Sequence, residues 1–141
     1  MMRYPFVGIC PKDNVEVNPD LFPNELRDIV TLFEEDNGGA LNLIKLEMGR
    51  LFLEGDANEL MLRLTVPLYF VVARVQFSHV RQGYTSRLVT LLTKLVHEHP
   101  EKSGIKVECV VSPEMLSFCE KHHFRRIPQT YDFVHDVSDS K

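Results

Sequence analysis

A glycine turn between two regularly patterned stretches is the part of this sequence best suited to chemistry. Residues 75–88 read Val-Gln-Phe-Ser-His-Val-Arg-Gln-Gly-Tyr-Thr-Ser-Arg-Leu, which predicts a strand, a tight turn at Gly83 and an amphipathic helix. A helix that begins at such a turn presents unpaired backbone N–H groups and the positive end of its dipole. The amides of residues 81–86, with a charged hydrogen bond from Arg81, would suit a diphosphate. Taken alone, the pattern also fits an ordinary connection between a strand and a helix.

The histidines and cysteines do not form a recognisable metal site. Of the six histidines, His97 and His99 lie two positions apart on a predicted helix and therefore point in different directions. The odd count of three cysteines and the lack of a C-x-x-C pair argue against a disulfide framework. We therefore expect no metal, and we expect the cysteines to be reduced and to lie in apolar surroundings.

Length and composition predict a single domain over residues 1–141, with residues 138–141 as a loose tail. With 141 residues and 44% hydrophobic content, the chain can bury a core without disulfides or metals. No apolar run approaches the roughly 18 residues of a membrane span, and the first residues lack a signal-peptide pattern, so we expect a cytoplasmic protein without a membrane partner. A net charge of −4 argues against nucleic-acid binding and favours a cationic or amine partner.

Apolar periodicity predicts a mixed α/β chain in the order β-α-α-β-β-β-α-β-α-β-β. The strands are predicted at residues 3–10, 50–54, 59–66, 68–77, 105–111, 124–127 and 131–137. The helices are predicted at residues 23–35 and 40–49, from the Gly83 turn to Pro100, and at residues 113–121, where Ser112 and Pro113 signal a cap. Residues 40–49 are ambiguous, since Leu41, Ile44 and Met48 fit a helical face while Leu41 and Leu43 fit a strand. We assign a short helix there.

Two stretches of the chain resemble the coenzyme-binding motifs of the GCN5-related N-acetyltransferases, the GNAT family. Residues 80–88 align without gaps with the family pattern Arg-Arg-Gln-Gly-Tyr-Gly-Ser-x-Leu. Residues 112–124 resemble the pattern Asn-x-x-Ala-x-x-Phe-Tyr-Glu-Lys-x-Gly-Phe. The outright matches in the second stretch are Phe118, Glu120, Lys121 and Phe124. The departures include Val80, Thr85, Ser112 and Cys119, so the resemblance is to a divergent or degenerate member of the family.

The resemblance implies a GNAT-like mixed sheet that is splayed between the fourth and fifth strands. The acyl-thioester arm of acetyl-CoA, the co-substrate, would lie in the wedge between them. Thr85 stands where the family has glycine or alanine, so its side chain would crowd the coenzyme. The residues implied in coenzyme binding are Phe77, Arg81, Gln82, Gly83, Tyr84, Thr85, Ser86, Ser112 and Phe118.

The implied reaction is transfer of an acetyl group from acetyl-CoA to a primary amine by direct attack, the acceptor being a small molecule or a protein. The tyrosine that acts as general acid in the family falls at Cys119, whose thiol could protonate the departing thiolate. A buried, inert core cysteine is the alternative.

A general base is harder to place, because strand 68–77 lacks the glutamate that the family often has there. His79 is the candidate that we assign, with Glu108 and His135 as further candidates, since an imidazole titrates in a useful range. For each of the three, the alternative is a surface or core residue without a catalytic role. The alternative to an enzyme is a catalytically inactive GNAT-like binding or regulatory module. Either kind of protein, the enzyme or the inactive module, could form a homodimer.

Overall fold

The structure, a computed structural model, describes residues 24–79 and 82–137. Within these residues the helices are α1 (Asn24–Asn37), α2 (Tyr84–Glu98) and α3 (Pro113–Lys121). The strands are β1 (Leu43–Glu47), β2 (Arg50–Glu54), β3 (Glu59–Arg63), β4 (Tyr69–Gln76), β5 (Gly104–Val107), β6 (Arg125–Arg126) and β7 (Phe133–Asp136). They form one sheet in the order β1-β2-β3-β4-β5-β7-β6, and among these strands β4 and β5 alone run parallel.

The core follows from two sequence periods. In α1, Leu26, Ile29 and Phe33 recur on one helical face, and all three are buried. In the hairpin strands every second residue points inward, which buries an alternating set of leucines: Leu51, Leu53, Leu60 and Leu62. Helices α1 and α2 pack against each other, and their apolar faces join the strands in one core cluster. The predicted α1 helix and the predicted β2–β3 hairpin are confirmed.

The predicted helix at residues 40–49 is wrong, because this segment contains strand β1. Ile44 and Leu46 alternate inward and are buried, and β1 pairs antiparallel with β2. The connection is a two-residue turn in which Met48 and Gly49 have φ of 53° and 75°. Positive φ at both central residues is the geometry of a type I′ hairpin turn. Met48, predicted to lie on an apolar helical face, is 82% exposed at that turn.

Two other predictions need adjustment. The predicted fifth strand, residues 105–111, ends at Val107, because Cys109 adopts φ of 57° and its N–H donates to Asp132 Oδ1 at 3.0 Å. The predicted strand at residues 3–10 lies outside the described residues, as does the tail at 138–141.

Strands β4 and β5 pair over only part of their length. Their parallel ladder runs from Tyr69–Gly104 to Val72–Val107, whereas β4 continues to Gln76. Successive residues of a strand direct their backbone groups to opposite sides. Val72 accepts from the Glu108 N–H and so faces β5. The β3–β4 ladder shifts register between Met61 and Leu62, which leaves Ala73 as a bulge and reverses the alternation in the rest of β4. The backbone groups of Arg74 and Gln76 therefore face β3, and those of Val75 face the other side, beyond the point where β5 ends. This half of β4 therefore borders an opening in the sheet.

Candidate active site

Among the residues that the structure describes, no side chain caps the N-terminus of α2. Its N-cap, Gly83, has φ of 83° and no side-chain hydrogen bond, and the first turn contains no acidic residue. The first hydrogen bond of the helix runs from the Arg87 N–H to the Gly83 carbonyl at 3.0 Å. The N–H groups of Tyr84, Thr85 and Ser86 therefore have no acceptor within the helix.

Helix α3 begins in the opposite way. The Ser112 hydroxyl accepts from the Met115 N–H at 3.2 Å, Pro113 occupies the first turn, and Glu114 adds a negative charge beside the helix dipole. The predicted Ser-Pro cap is confirmed. Among the described residues, Ser112 caps α3 while no side chain caps α2, so the first amides of α2 are the more available to a ligand.

A cavity of about 600 Å³ lies between the end of β4, the start of α2 and one face of α3. From β4 and the loop after it, the walls are Val75, Gln76, Phe77 and His79. From α2 and its cap they are Gly83, Tyr84, Thr85 and Ser86, and from α3 and its cap Ser112, Glu114, Met115, Ser117, Phe118, Lys121 and His122. The structure thus brings His79 together with seven of the nine residues predicted to bind the coenzyme. Gln82 is exposed outside this lining, and Arg81 lies outside the described residues.

One wall of the cavity is aromatic. Phe77 stacks between Phe33 and Tyr84, with ring centroids 4.6 and 5.5 Å away. The Tyr84 hydroxyl donates to Glu35 at 3.4 Å, and Arg87 makes two bonds to the same carboxylate at 2.7 and 3.1 Å. Burial and then the Glu35 charge raise the pKa of Tyr84, so the hydroxyl stays protonated. These contacts fix the first turn of α2 against α1.

The opposite wall joins α2 to α3 through a histidine. His122 Nε2 lies 3.2 Å from the Ser86 hydroxyl, and its ring packs on Phe118 at 4.3 Å. Burial, followed by repulsion from Lys121 and neighbouring histidines, lowers the pKa of His122. His122 is therefore mainly neutral at pH 7 and acts here as a hydrogen-bonding group that connects α3 to Ser86 of α2.

His79 is held by a buried carboxylate. Its Nδ1 lies 2.9 Å from Asp36 Oδ1, while 60% of its side chain remains exposed at the cavity. Glu108 and His135, the other predicted base candidates, do not line this cavity. Glu108 pairs with Arg63 at 3.4 Å, and the His135 ring stacks on Phe124 at 5.1 Å. Of the three candidates, His79 is the one in position to meet a ligand there.

Cys119 does not reach the cavity. Its side chain is fully buried in the core cluster, although its neighbour Phe118 lines the wall. Burial raises the pKa of Cys119 to about 11. A fully enclosed thiol cannot contact a departing thiolate, so its placement favours the inert core alternative over the general acid.

Sequence reasoning missed Asp36 and His122 as parts of this site. A signal for Asp36 was present, since Glu34, Glu35 and Asp36 place three acids at the C-terminal end of the predicted helix, where the dipole favours cations. His122 had no comparable signal, because its contact with Ser86 depends on how α2 and α3 meet.

Two further features are absent from the part of the chain that the structure describes. Residues 24–79 and 82–137 contain no cluster of three or more His, Cys, Asp or Glu side chains that could hold a metal ion. In the same ranges, no helix combines the length and the apolar character that crossing a membrane requires.

Comparison with solved structures finds similarity to the crystal structure of the anti-CRISPR protein AcrVA5. The alignment has a TM-score of 0.50 and 13% sequence identity, and it covers 63% of this chain and 100% of that chain. The fold is GNAT-like. At this identity the similarity shows fold alone. No protein-family model matches the sequence, and no curated protein sequence matches it.

Proposed function

We propose that this protein is an N-acetyltransferase that transfers an acetyl group from acetyl-CoA to a primary amine. The observation that carries the proposal is the uncapped start of α2, whose amides of Tyr84, Thr85 and Ser86 open on the cavity. Free amides at a helix N-terminus bind phosphate through hydrogen bonds and the helix dipole. A volume of about 600 Å³ lies within the roughly 300–1,000 Å³ of small-molecule sites.

The remaining walls suit the other parts of the coenzyme. Lys121 on α3 adds a positive charge opposite the α2 amides, where a diphosphate would be held between the two helices. The backbone groups of Val75 face the opening beside β4, where an extended amide-bearing arm could pair with them as a strand would. Thr85 lies in the wall itself, so its methyl group narrows the approach to the amides.

The chemistry that we assign to this cavity requires the removal of two protons from the acceptor nitrogen. His79 accepts the first proton from the ammonium form of the acceptor and passes it to solvent. The free amine then attacks the thioester carbonyl, a C–N bond forms and the C–S bond breaks. The second proton ends on the departing thiolate, through water, since Cys119 is enclosed in the core.

A non-catalytic binding or regulatory module remains the second candidate, and one observation favours it. Cys119 stands where the family has its general acid, and its thiol is buried outside the cavity. A protein of this kind would bind the coenzyme, or a ligand of similar charge, without transferring the acyl group.

Release of free coenzyme A from acetyl-CoA, separated by chromatography, distinguishes these two functions. With a panel of polyamines, lysine peptides and peptides with free N-termini, we expect at least one acceptor to give turnover on the order of 1 s⁻¹. The rate should increase with pH in the range where the acceptor ammonium loses its proton. Binding of acetyl-CoA without amine-dependent release, across the whole panel, would support the binding module and contradict the enzyme.

A further inference from the structure

The end of helix α1 carries an arrangement that works against helix stability. Glu34, Glu35 and Asp36 occupy its last turn, which contains no basic residue, although the partial negative charge of a helix C-terminus disfavours acids. Glu35 is compensated by Arg87, whose hydrogen bond lowers the pKa of Glu35. The Asp36 side chain is fully buried, and it contacts the His79 ring instead of an arginine.

Asp36 is instead surrounded by hydrogen-bond donors from elsewhere in the chain. Its Oδ2 accepts from the Ser78 N–H at 2.7 Å and from Asn58 Nδ2 at 2.8 Å. Its Oδ1 accepts from the His79 N–H at 2.9 Å and contacts His79 Nδ1, also at 2.9 Å. Burial alone would raise the pKa of Asp36, but these hydrogen bonds outweigh it and the pKa lies below its ordinary value. Asp36 is therefore an ionised carboxylate at neutral pH.

We infer that Asp36 is a positioning residue for His79 and that the two form a His–Asp dyad in which Nε2 of His79 is the proton acceptor. The inference rests on the proposed function, since it assigns the source of basicity in the same cavity. A carboxylate has no hydrogen to donate, so the contact with Nδ1 requires that this nitrogen carries the proton. The lone pair is then confined to Nε2, on the exposed side of the ring.

The geometry supports a role beyond structure. The loop after β4 is already attached to Asp36 by the two backbone bonds of Ser78 and His79. The bond to Nδ1 adds little to that attachment, because the imidazole is largely exposed. What the bond does is fix the ring rotamer and tautomer beside the ligand cavity. The Tyr84 ring lies on the side of α2, with its centroid 6.4 Å from that of the imidazole.

A direct test is the tautomer of neutral His79, read from long-range ¹H–¹⁵N correlations at a pH where the ring is uncharged. In the unmodified protein we expect the proton on Nδ1, whereas free histidine prefers Nε2. This measurement does not depend on enzyme activity, so it tests the dyad even if no acetyl transfer is found. A proton on Nε2 in the unmodified protein would overturn the dyad.

The functional test is Asp36→Asn, with Asn58→Ala as a matched control. Asp36→Asn should lower kcat roughly 10- to 100-fold while the acetyl-CoA Kd changes less than about twofold, because the ring loses its orientation but the cavity keeps its amides. Asn58→Ala removes another hydrogen bond to Asp36 and leaves the His79 contact in place. It should lower Tm and leave kcat per folded molecule unchanged. Equal kcat losses in the two variants would show a purely structural role for Asp36 and overturn the inference.

Discussion

Gly83→Glu will abolish measurable acetyl-CoA binding while the protein remains folded. Apart from its chain neighbours, none of the described residues lies within 4 Å of the position that a Cβ would occupy at Gly83, so the new carboxylate would project freely at the cavity edge. There it would meet the diphosphate and compete for the amides of α2. Two like charges about 4 Å apart at an effective dielectric of about 20 repel by about 4 kcal/mol, which corresponds to roughly a thousandfold weaker binding. Isothermal calorimetry on both proteins measures the loss.

Gly38→Glu is the matched control for this variant. Gly38 also has a positive φ, 80°, and also has open space at the Cβ position, but it lies beyond the end of α1 and outside the cavity lining. It therefore carries a similar backbone strain without a charge near the coenzyme. Gly38→Glu should bind acetyl-CoA with unchanged affinity. If both variants bind normally, the α2 amides are not the diphosphate site, and equal losses in both would attribute the effect to strain alone.

His79→Ala will lower kcat for amine acetylation by roughly 10²–10⁴-fold, the usual contribution of a general base. The acetyl-CoA Kd should stay within about twofold, because the proposed phosphate contacts come from α2 and Lys121. Initial rates at saturating acetyl-CoA, together with calorimetric Kd values, separate the two effects.

His97→Ala controls for the loss of a histidine in general. His97 is exposed near the end of α2 and takes no part in the cavity, so its replacement should change neither kcat nor Kd. The opposite pair of effects would exclude His79 as the general base. If His79→Ala weakened acetyl-CoA binding and left kcat intact, His79 would be a ligand for the phosphates.

The parts of the site that sequence patterns predicted are those set by neighbouring residues. The glycine turn at Gly83 and the Ser112-Pro113 cap are local signals, and both helices begin where these signals place them. Cys119 was placed correctly on α3 but assigned a catalytic role through the resemblance. Whether a side chain of α3 is buried depends on which face of the helix packs against the core. Phe118 and Cys119 are adjacent on this nine-residue helix, yet Phe118 lines the cavity and Cys119 lies in the core.

The parts that sequence patterns missed depend on contacts between distant residues or on unusual turn chemistry. Asp36 and His79 are separated by 43 positions, and no periodicity connects them. Strand β1 was missed because its turn has Met48 where Asn or Asp usually precedes the glycine of a type I′ turn. Without that signal, the spacing of Leu41, Ile44 and Met48 resembled a helical face. The segment is a strand because it pairs with β2.

Calorimetric titration of the unmodified protein with acetyl-CoA tests the central claim, that the α2 cavity binds a coenzyme A thioester. The structure predicts one binding site per chain, no comparable binding of a short acetyl thioester that lacks the diphosphate, and stabilisation by about 2.7 kcal/mol at a hundredfold excess over Kd. The matching rise in Tm can be followed on the same samples. The absence of both heat and a Tm shift at millimolar acetyl-CoA would contradict the coenzyme site and, with it, the proposed acetyltransferase.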